Sequence, residues 1–447
     1  MSDMRKLFGR SITRSGRIIR DAWLIAGGTV LLIVALESGY RLYDTVSTAS
    51  MSRSADDKGP PSPFEATAWA AEYWIGHDKE EAVEWTPYVY VRNPKFEAPH
   101  HSVDHLGHRV TPLPAPASPG GPTVRVFFMG GSTTFGWFQR ADHTIPAEAA
   151  RRLQTQIGNN ARVDVTNFGV PGHTFTQEVL ELILQLRAGA RPDVVVFYDG
   201  INDVMATVQN KRAGLPQNEG NRVEDFVRGR REASENKPGL VNDLLTAKHM
   251  LGAALSRIQF AKRIVNWVRA TGSSTAAPSN PAELAKNIVQ MHAENARIVE
   301  ALAASYGFQP IYVWQPALLS TRKPLTAHET WLRRAEVGNF VRTMRDVHMT
   351  VPTLIGPAMK PIAGDRFIEM TDLFRDDPDE IFVDWSGHTY ERANPRIVDA
   401  LMPRLGAAVS WVMSRPSSVE VPHSGMPTAS TNDSTFNNGR NMVMKVE

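Results

Sequence analysis

A serine lies at the end of the first strongly apolar segment after the N-terminal quarter of the sequence. Residues 124–129 are mostly β-branched or aromatic, and two glycines, Gly130 and Gly131, separate them from Ser132. This pattern predicts a buried strand that ends in a tight turn. A side chain in such a turn lies at the carboxyl edge of a sheet, where open α/β folds bind their ligands. Ser132 is therefore a candidate nucleophile.

A histidine near the other end of the sequence is a candidate for the base that a nucleophilic serine needs. His388 follows Asp384 by four residues, in what looks like a loop after an apolar segment. This spacing allows the carboxylate to bind the imidazole and to set its tautomer. Such pairs are common by chance, so the pair gains meaning only from the residues around it.

Two further loops offer hydrogen-bond donors for an oxyanion. Gly172 follows the predicted strand 163–168, and Asn202 follows the predicted strand 193–198. A glycine presents its backbone N–H without obstruction, and an asparagine amide is a natural second donor, although both residue types are also common in ordinary turns. Loops that follow consecutive parallel strands emerge at the same edge of a sheet. We therefore expect Ser132, Gly172 and Asn202 to converge.

Two other motifs can be excluded at the serine. The spacing of Gly131 and Gly136 matches a phosphate-binding loop, but Trp137 and Phe138 stand where that loop requires Lys and Ser or Thr. The serine is not in a G-x-S-x-G elbow either, because Thr134 occupies the position of the last glycine. A nucleotide-binding site and a typical α/β-hydrolase are therefore not expected.

The elements that must position these loops alternate between strand and helix. This alternation predicts a parallel sheet with helices on both faces. Beyond the three strands above, the pattern predicts helices at 177–187, 281–305 and 395–413, a strand at 309–314 and a short edge element at 367–368.

The composition excludes several kinds of protein. With 447 residues the chain can form a full hydrophobic core with appendages. It has no cysteine, which excludes disulfides and thiolate nucleophiles, and the histidines within 100–108 lack carboxylates at ligand spacing, so no metal site is expected. The net charge of +2 comes from residues 1–20, which hold six basic side chains and one acidic one. The rest is slightly acidic, so nucleic acid is not expected as a partner.

An uncharged apolar run follows the basic residues. Residues 22–36 carry no charge, and residues 37–40 can extend the run towards the roughly 20 residues that span a bilayer. A buried core helix does not normally follow so many basic residues, and residues 37–43 lack the A-x-A type of pattern, two small residues separated by one other residue, at which a signal peptide is cleaved. We predict an uncleaved transmembrane anchor over 22–42, with a cleaved signal peptide as the alternative. The positive-inside rule then places residues 1–21 in the cytoplasm.

The other segments flank or interrupt a predicted domain over 123–413. Residues 43–122 are predicted to form a tether and an N-terminal extension. An insertion at about 210–280 has helical periodicity in its second half and could be a lid, a docking element or a plain surface excursion. The tail 414–447 is rich in Ser, Asn and Pro and is expected to be disordered. With the anchor, this organisation predicts a single-pass protein of the inner (plasma) membrane whose domain is periplasmic or extracellular.

The chemistry-bearing segments together resemble the four signature blocks of the SGNH (GDSL-like) hydrolase superfamily, in particular its membrane-anchored bacterial type. The resemblance covers residues 124 to about 406 and keeps the family's order. The matching residues are Gly130-Gly131-Ser132, Gly172, Gly200-x-Asn202-Asp203, and Asp384 with His388.

The resemblance implies a role for each of these residues. Ser132 is the nucleophile, His388 is the base, and Asp384 orients the base. The N–H groups of Ser132 and Gly172 and the amide of Asn202 form the oxyanion hole. The implied fold is a three-layer α/β/α sandwich with a flavodoxin-like parallel sheet, and no metal or organic cofactor is needed.

The sequence departs from the family's pattern at two points. Gly131 replaces the usual aspartate of Gly-Asp-Ser. The aspartate of the last block normally precedes the histidine by three residues, whereas Asp384 precedes His388 by four. A bulge at Gly387 could absorb the additional residue, and a Ser-His dyad without Asp384 is the alternative.

The expected function is that of a serine esterase or an O-acyltransferase. Its substrate would be an acylated small molecule or glycan, with a cell-envelope glycan suggested by the predicted anchor. The alternative is a catalytically inactive SGNH domain that binds glycan or serves as an assembly subunit of an envelope complex. The sequence indicates no particular protein partner.

Overall fold

The computed structural model describes most of the predicted domain and its extension. The described residues are 67–73, 82–114, 122–217, 280–335, 339–415 and 443–445, with positions 23, 24, 27, 28, 37, 62, 64 and 219. The chain divides into two compact units, one of Met1–Lys58 with Glu224–Pro278 and another of Gly59–Val223 with Ser279–Glu447. All elements named below belong to the second unit.

Ten strands are described, and five of them form the central sheet. In chain order the strands are β1 (Ala82–Thr86), β2 (Tyr90–Arg92), β3 (Phe96–Glu97), β4 (Ser102–Val103), β5 (Thr123–Gly130), β6 (Arg162–Gly169), β7 (Val194–Asp199), β8 (Gln309–Trp314), β9 (Phe367–Glu369) and β10 (Val443–Lys445). The central sheet has the order β6-β5-β7-β8-β9, and every pair in it is parallel. Numbered within the domain this order is 2-1-3-4-5, which confirms the predicted flavodoxin-like sheet.

The strand order creates a crevice at the carboxyl ends of β5 and β7. The chain moves outward from β5 to β6 and then returns to the other side of β5 to form β7, so the loops after β5 and β7 lead to opposite faces. Open α/β sheets bind ligands at such a switch point. The pairing of Gly130 with both Gly169 and Tyr198 brings the ends of the three strands level. The loops that carry Ser132, Gly172 and Asn202 therefore start at one edge.

Helices follow most strands of the central sheet. Those whose bounds are described are α1 (Ser132–Phe135), α2 (Ile145–Ile157), α3 (Phe175–Arg187), α4 (Ile201–Asn210), α5 (Pro281–Tyr306), α6 (Ala327–Ala335), α7 (Asn339–Ala363) and α8 (Asn394–Ser414).

Helices cover both faces of the sheet, because alternate side chains of its strands point to opposite faces. Phe127 and Met129 of β5 pack with α3, α4, α5 and α7 in one apolar cluster. Val126 and Phe128 pack with α2 and α8 in a second cluster. Each large apolar side chain that is buried in this way contributes roughly 1.5–3 kcal/mol. Strands that are buried on both faces explain the continuous apolar runs of the sequence.

The described segments outside the central sheet include parts of the predicted extension and of the predicted tail. β1 pairs with β2 in a hairpin and, on its other side, with β10, which lies within the tail predicted to be disordered. Most of the predicted insertion and most of the predicted anchor over 22–42 lie outside the described residues. None of the helices in the described part of the chain is both long and apolar enough to cross a bilayer.

Candidate active site

Ser132 is the first residue of the short helix α1, directly after β5. Its side chain is buried, with 6% of the residue exposed. We call residues 130–140 the serine turn. It is held by Asn167 of β6, whose side-chain amide donates to the carbonyl of Thr134 over 2.9 Å. The apolar strand and the two glycines thus place the serine at the switch point of the sheet.

The structure brings Ser132, His388 and Asp384 into one line of hydrogen bonds, although 256 positions of sequence separate the serine from the histidine. Oγ of Ser132 lies 2.7 Å from Nε2 of His388. Nδ1 of the same ring lies 2.6 Å from Oδ2 of Asp384. Both distances are those of good hydrogen bonds.

The loop between Asp384 and His388 accommodates the four-residue spacing by a tight turn. Gly387 adopts a φ of +92°, a left-handed conformation that favours glycine. The turn lets the backbone N–H of His388 donate to Oδ1 of Asp384 over 3.2 Å. Ser386 also donates to Oδ1, over 2.8 Å, and its hydroxyl lies 3.0 Å from Nδ1 of His388. Both carboxylate oxygens of Asp384 thus accept hydrogen bonds, Oδ1 from Ser386 and the backbone of His388, and Oδ2 from the His388 ring.

These contacts keep Asp384 ionised beside the imidazole. Burial by itself raises the pKa of Asp384, but the charge of His388 and the hydrogen bonds from His388 and Ser386 outweigh it, so that the pKa lies below its ordinary value. An ionised carboxylate is acceptor only, so Nδ1 of His388 carries the proton in this pair. Nε2 is then free to accept the hydroxyl proton of Ser132.

Gly172 and Asn202 lie next to each other at the same edge. Asn202 is the second residue of α4, and 8% of it is exposed. Its Nδ2 points at the serine turn so closely that a Cβ added to Gly131 would lie 1.9 Å from it. Its Oδ1 accepts a hydrogen bond of 3.0 Å from Nε2 of Gln217, and a Cβ added to Gly172 would lie 3.7 Å from the amide of the same glutamine. The candidate oxyanion donors thus lie on the side of Ser132 that carries Gln217.

Comparison with known families agrees with this geometry. The sequence pattern of the GDSL-like lipase/acylhydrolase family matches residues 128–351, just over half of the chain. The chain belongs to this family. Membership confirms the predicted resemblance to the GDSL-like family and the predicted class of ester-hydrolysing domain, whereas the membrane-anchored bacterial type stays a prediction. The match contains Ser132, Gly172 and Asn202, whereas Asp384 and His388 lie beyond its end.

Solved structures that resemble part of this GDSL-like chain share little sequence with it. A carbohydrate acetylesterase family member from Sinorhizobium meliloti is 15% identical, with 64% of this chain and 99% of that chain covered and a TM-score of 0.32. An acetylxylan esterase from Geobacillus stearothermophilus is 14% identical, with 64% and 95% covered and a TM-score of 0.32. At these values the likenesses carry no argument about the substrate. No curated protein sequence matches the chain.

Buried polar side chains connect the loop of residues 384–391, the histidine loop, to the serine turn of this GDSL-like domain by hydrogen bonds. Gln139 follows α1 and donates to the carbonyl of Thr389 over 2.8 Å, and Asn394 donates to Gln139 over 2.8 Å. The next residue, Arg140, donates from its side chain to both carboxylate oxygens of Glu391. These contacts hold His388 at its short distance from Ser132. The sequence pattern does not reveal these hydrogen bonds, because each joins positions that are far apart in the chain.

A fully buried ion pair holds the segment that precedes the histidine loop. The side chains of Lys323 and Glu329 contact each other and have no exposed surface. The other carboxylate oxygen of Glu329 accepts from the backbone N–H groups of Ile381 and Phe382, over 2.8 and 3.2 Å. The pair therefore fixes the strand-like segment that leads into Asp384.

Two aromatic rings that follow the serine pack against the histidine, and residues of the N-terminal extension contact one of them. The ring centroids of Trp137 and Phe138 lie 5.1 and 5.3 Å from that of His388. The hydroxyl of Tyr73 accepts from the backbone N–H of Phe138 over 2.9 Å, and the ring of Phe64 lies 6.2 Å from Phe138. The extension thus supports one of the two rings that contact His388.

Three buried carboxyl groups form a cluster close to Asn202, those of Glu178, Asp199 and Asp203. Burial raises the pKa of Glu178 and of Asp199 well above the usual range, and the neighbouring carboxylates raise it further. Burial also raises the pKa of Asp203 to about 7. None of the three forms an ion pair with a described cation, and each has a carboxyl oxygen without a hydrogen-bond partner in the described part of the chain. The cluster therefore retains protons where exposed carboxyl groups are ionised.

The histidines of the extension are engaged in packing. His100 lies 3.1 Å from the carboxylate of Glu72, and the ring of His101 stacks on Tyr73 with centroids 4.7 Å apart. His108 packs against the ring of Phe168 at 4.3 Å. Across the residues that the structure describes, no group of three His, Cys, Asp or Glu side chains could hold a metal ion.

Proposed function

We propose that this domain is a serine esterase that works through an acyl-enzyme on Ser132. The observation that carries the proposal is the continuous chain of hydrogen bonds from Asp384 through His388 to Ser132. In a family of lipases and acylhydrolases, this arrangement supplies a nucleophile, a base and an orienting acid.

The reaction divides into two transfers of the acyl group. His388 takes the hydroxyl proton at Nε2 as Oγ of Ser132 attacks the ester carbonyl. The oxyanion accepts hydrogen bonds from the N–H groups of Ser132 and Gly172 and from the amide of Asn202. The intermediate collapses, the C–O bond of the ester breaks, and the leaving alcohol takes the proton from His388. A water or a second alcohol then attacks the acyl-enzyme by the same steps in reverse.

Asp384 orients the histidine and stabilises its charged form. Because the carboxylate binds Nδ1, the ring can accept a proton only at Nε2, which faces the serine. The imidazolium that forms during attack is stabilised by the negative charge of Asp384. The three residues therefore act as a triad rather than a Ser-His dyad.

For the substrate we propose an acylated small molecule or glycan of the cell envelope. This part of the proposal is supported by the basic segment 1–21 and the apolar run within 22–42, which would anchor the domain on the outer face of the inner membrane. Recovery of the full chain in the membrane fraction, and its accessibility to protease added outside spheroplasts, would test the anchor. Release in soluble form with a shortened N-terminus would instead show cleavage.

The activity is tested with p-nitrophenyl acetate and a fluorophosphonate probe. The wild-type domain should cleave the ester and be labelled at Ser132, and Ser132→Ala should lose both while it remains folded. Ser305→Ala, the same change on an exposed face of α5, is the matched control and should retain both. A folded wild-type domain that neither cleaves esters nor reacts with the probe would favour the inactive, glycan-binding alternative. Transfer of the acetyl group to an added sugar, measured against release of acetate, separates acyltransferase from hydrolase.

A further inference from the structure

The orientation of the Asn202 amide decides whether this residue helps or hinders an oxyanion. Nδ2 is a donor and Oδ1 is an acceptor, and the two atoms occupy almost the same volume when the amide is turned over. With Nδ2 towards the serine turn the amide stabilises negative charge. The reversed amide would present lone pairs to the oxyanion and would repel it.

Gln217 supplies the contact that distinguishes the two orientations. Its Nε2 donates to Oδ1 of Asn202 over 3.0 Å, and among the described residues no other group donates to this oxygen. The same amide faces Gly172, where an added Cβ would lie 3.7 Å from both Cδ and Oε1 of the glutamine. Gln217 therefore binds Asn202 and faces Gly172, the two residues that carry the candidate oxyanion donors outside the serine turn.

The backbone that carries Gln217 is itself fixed. Gln217 lies seven residues beyond the end of α4. Asn210, the last residue of that helix, donates from Nδ2 to the carbonyl of Pro216 over 3.0 Å and to that of Ala206 over 2.8 Å. Ala213, in the same turn, packs against the apolar core. The turn thus returns the chain to the site and holds the glutamine there.

We propose that Gln217 is a positioning residue of the oxyanion hole, which locks the Asn202 amide with its donor towards the transition state. The inference rests on the proposed function, since it assigns a role within the same reaction. Gln217 itself does not touch the reacting atoms. While its own amide keeps Nε2 towards Asn202, the observed orientation satisfies Oδ1 of Asn202, and the reversed orientation would set two donors against each other.

Two substitutions of nearly equal size separate this role from simple packing. In Gln217→Met the donor is lost but nothing favours the reversed amide, so kcat should fall by roughly tenfold or less, with KM little changed. In Gln217→Glu the carboxylate can only accept, so the Asn202 amide turns over to donate to it. We expect kcat to fall by roughly 10²–10³-fold at about pH 8, the loss typical of removing an oxyanion donor.

The pH dependence of the Gln217→Glu variant gives a second readout. The introduced carboxyl group can donate again once it is protonated, so the ratio of variant to wild-type kcat should rise as the pH is lowered towards about 5. The ratio at each pH cancels the titration of groups that both proteins share. Gln290→Glu, which places the same charge on an exposed position of α5, is the control and should keep a ratio near one.

The inference is overturned if Gln217→Met is as damaging as Gln217→Glu, or if the deficit of Gln217→Glu does not change with pH. A wild-type domain without esterase activity would refute the proposed function and leave the inference open to a separate measurement. In that case the side-chain amide resonances of Asn202, assigned with Asn202→Asp, must still shift in Gln217→Glu and return at acidic pH. Unchanged resonances would show that Gln217 does not set the amide.

Discussion

The replacement Gly131→Ala should inactivate the domain by moving Asn202 while the fold remains intact. The backbone of Gly131 has φ −86° and ψ −150°, an extended conformation that alanine adopts readily. The added Cβ, however, would lie 1.9 Å from Nδ2 of Asn202, whereas ordinary contacts of a Cβ begin at 3.4 Å. The amide must therefore retreat by about 1.5 Å. Its hydrogen bond to an oxyanion would then be lost.

The size of the effect follows from what moves. Removal of one oxyanion donor costs roughly 10²–10³-fold in kcat, or about 2.7–4 kcal/mol of transition-state stabilisation. Because only the end of one side chain is displaced, the free energy of unfolding should change by no more than about 1 kcal/mol. We expect a folded protein with a melting temperature close to that of the wild type and a kcat on p-nitrophenyl acetate reduced to the level of Asn202→Ala.

A double-mutant cycle decides whether the effect passes through Asn202. If it does, Gly131→Ala should reduce kcat by less than about threefold in an Asn202→Ala background, because the donor is already absent. Gly356→Ala, in a helix where an added Cβ meets nothing within 4 Å, controls for the substitution itself. Full activity of Gly131→Ala would refute the reasoning. So would penalties that multiply in the double variant.

Two further predictions concern the carboxyl groups of the site. Asp384→Asn should lower kcat by roughly 10³–10⁴-fold, since an amide can hold the ring in the wrong tautomer; a loss of tenfold or less in the steady-state assay would indicate a Ser-His dyad. For the cluster of Glu178, Asp199 and Asp203, each folded-state pKa is raised, so the stability that the protonated groups provide is present at low pH and is lost as the pH rises through these raised pKa values, that of Asp203 being about 7. Glu178→Gln, which mimics a protonated carboxyl, should therefore gain thermal stability relative to the wild type as the pH is raised from about 5 to about 9. A melting-temperature difference that is constant over this range would contradict the assignment.

The parallel sheet could be predicted from the sequence because its three inner strands, β5, β7 and β8, are mostly apolar runs with clear ends. The predicted strand 309–314 coincides with β8, and the predicted helix at 281–305 differs from α5 by one residue. The signals at these boundaries are local, with Pro281 at the first position of the helix and Gly307 directly after its end. Local chemistry at element ends is what a sequence displays directly.

Other elements escaped prediction because their local signals are weak or misleading. Helix α7 contains Pro352, Pro357 and Pro361, residues that usually end a helix, and it persists because its apolar face packs against the core. Strands β3 and β4 have two residues each, too few for any alternation to show. In both cases tertiary packing decides the structure.

The candidate site shows the same division between local and non-local information. Ser132, Gly172 and Asn202 could be found because each follows a recognisable strand and the topology of a parallel sheet makes such loops converge. Gln217 follows a helix and an irregular turn, and nothing in its neighbourhood marks it.

Each of the two departures from the family's pattern coincides with a specific contact in the structure. A glycine in place of the usual aspartate removes the side chain that would occupy the position of the Asn202 amide, so Gly131 and the close approach of Asn202 belong together. The additional residue before His388 is absorbed by the left-handed turn at Gly387, and the same turn gives Asp384 a hydrogen bond from the backbone of the histidine. Each departure is thus compensated by a contact that depends on it. Restoring the aspartate by Gly131→Asp, or shortening the spacing between Asp384 and His388 by one residue, should therefore damage the site.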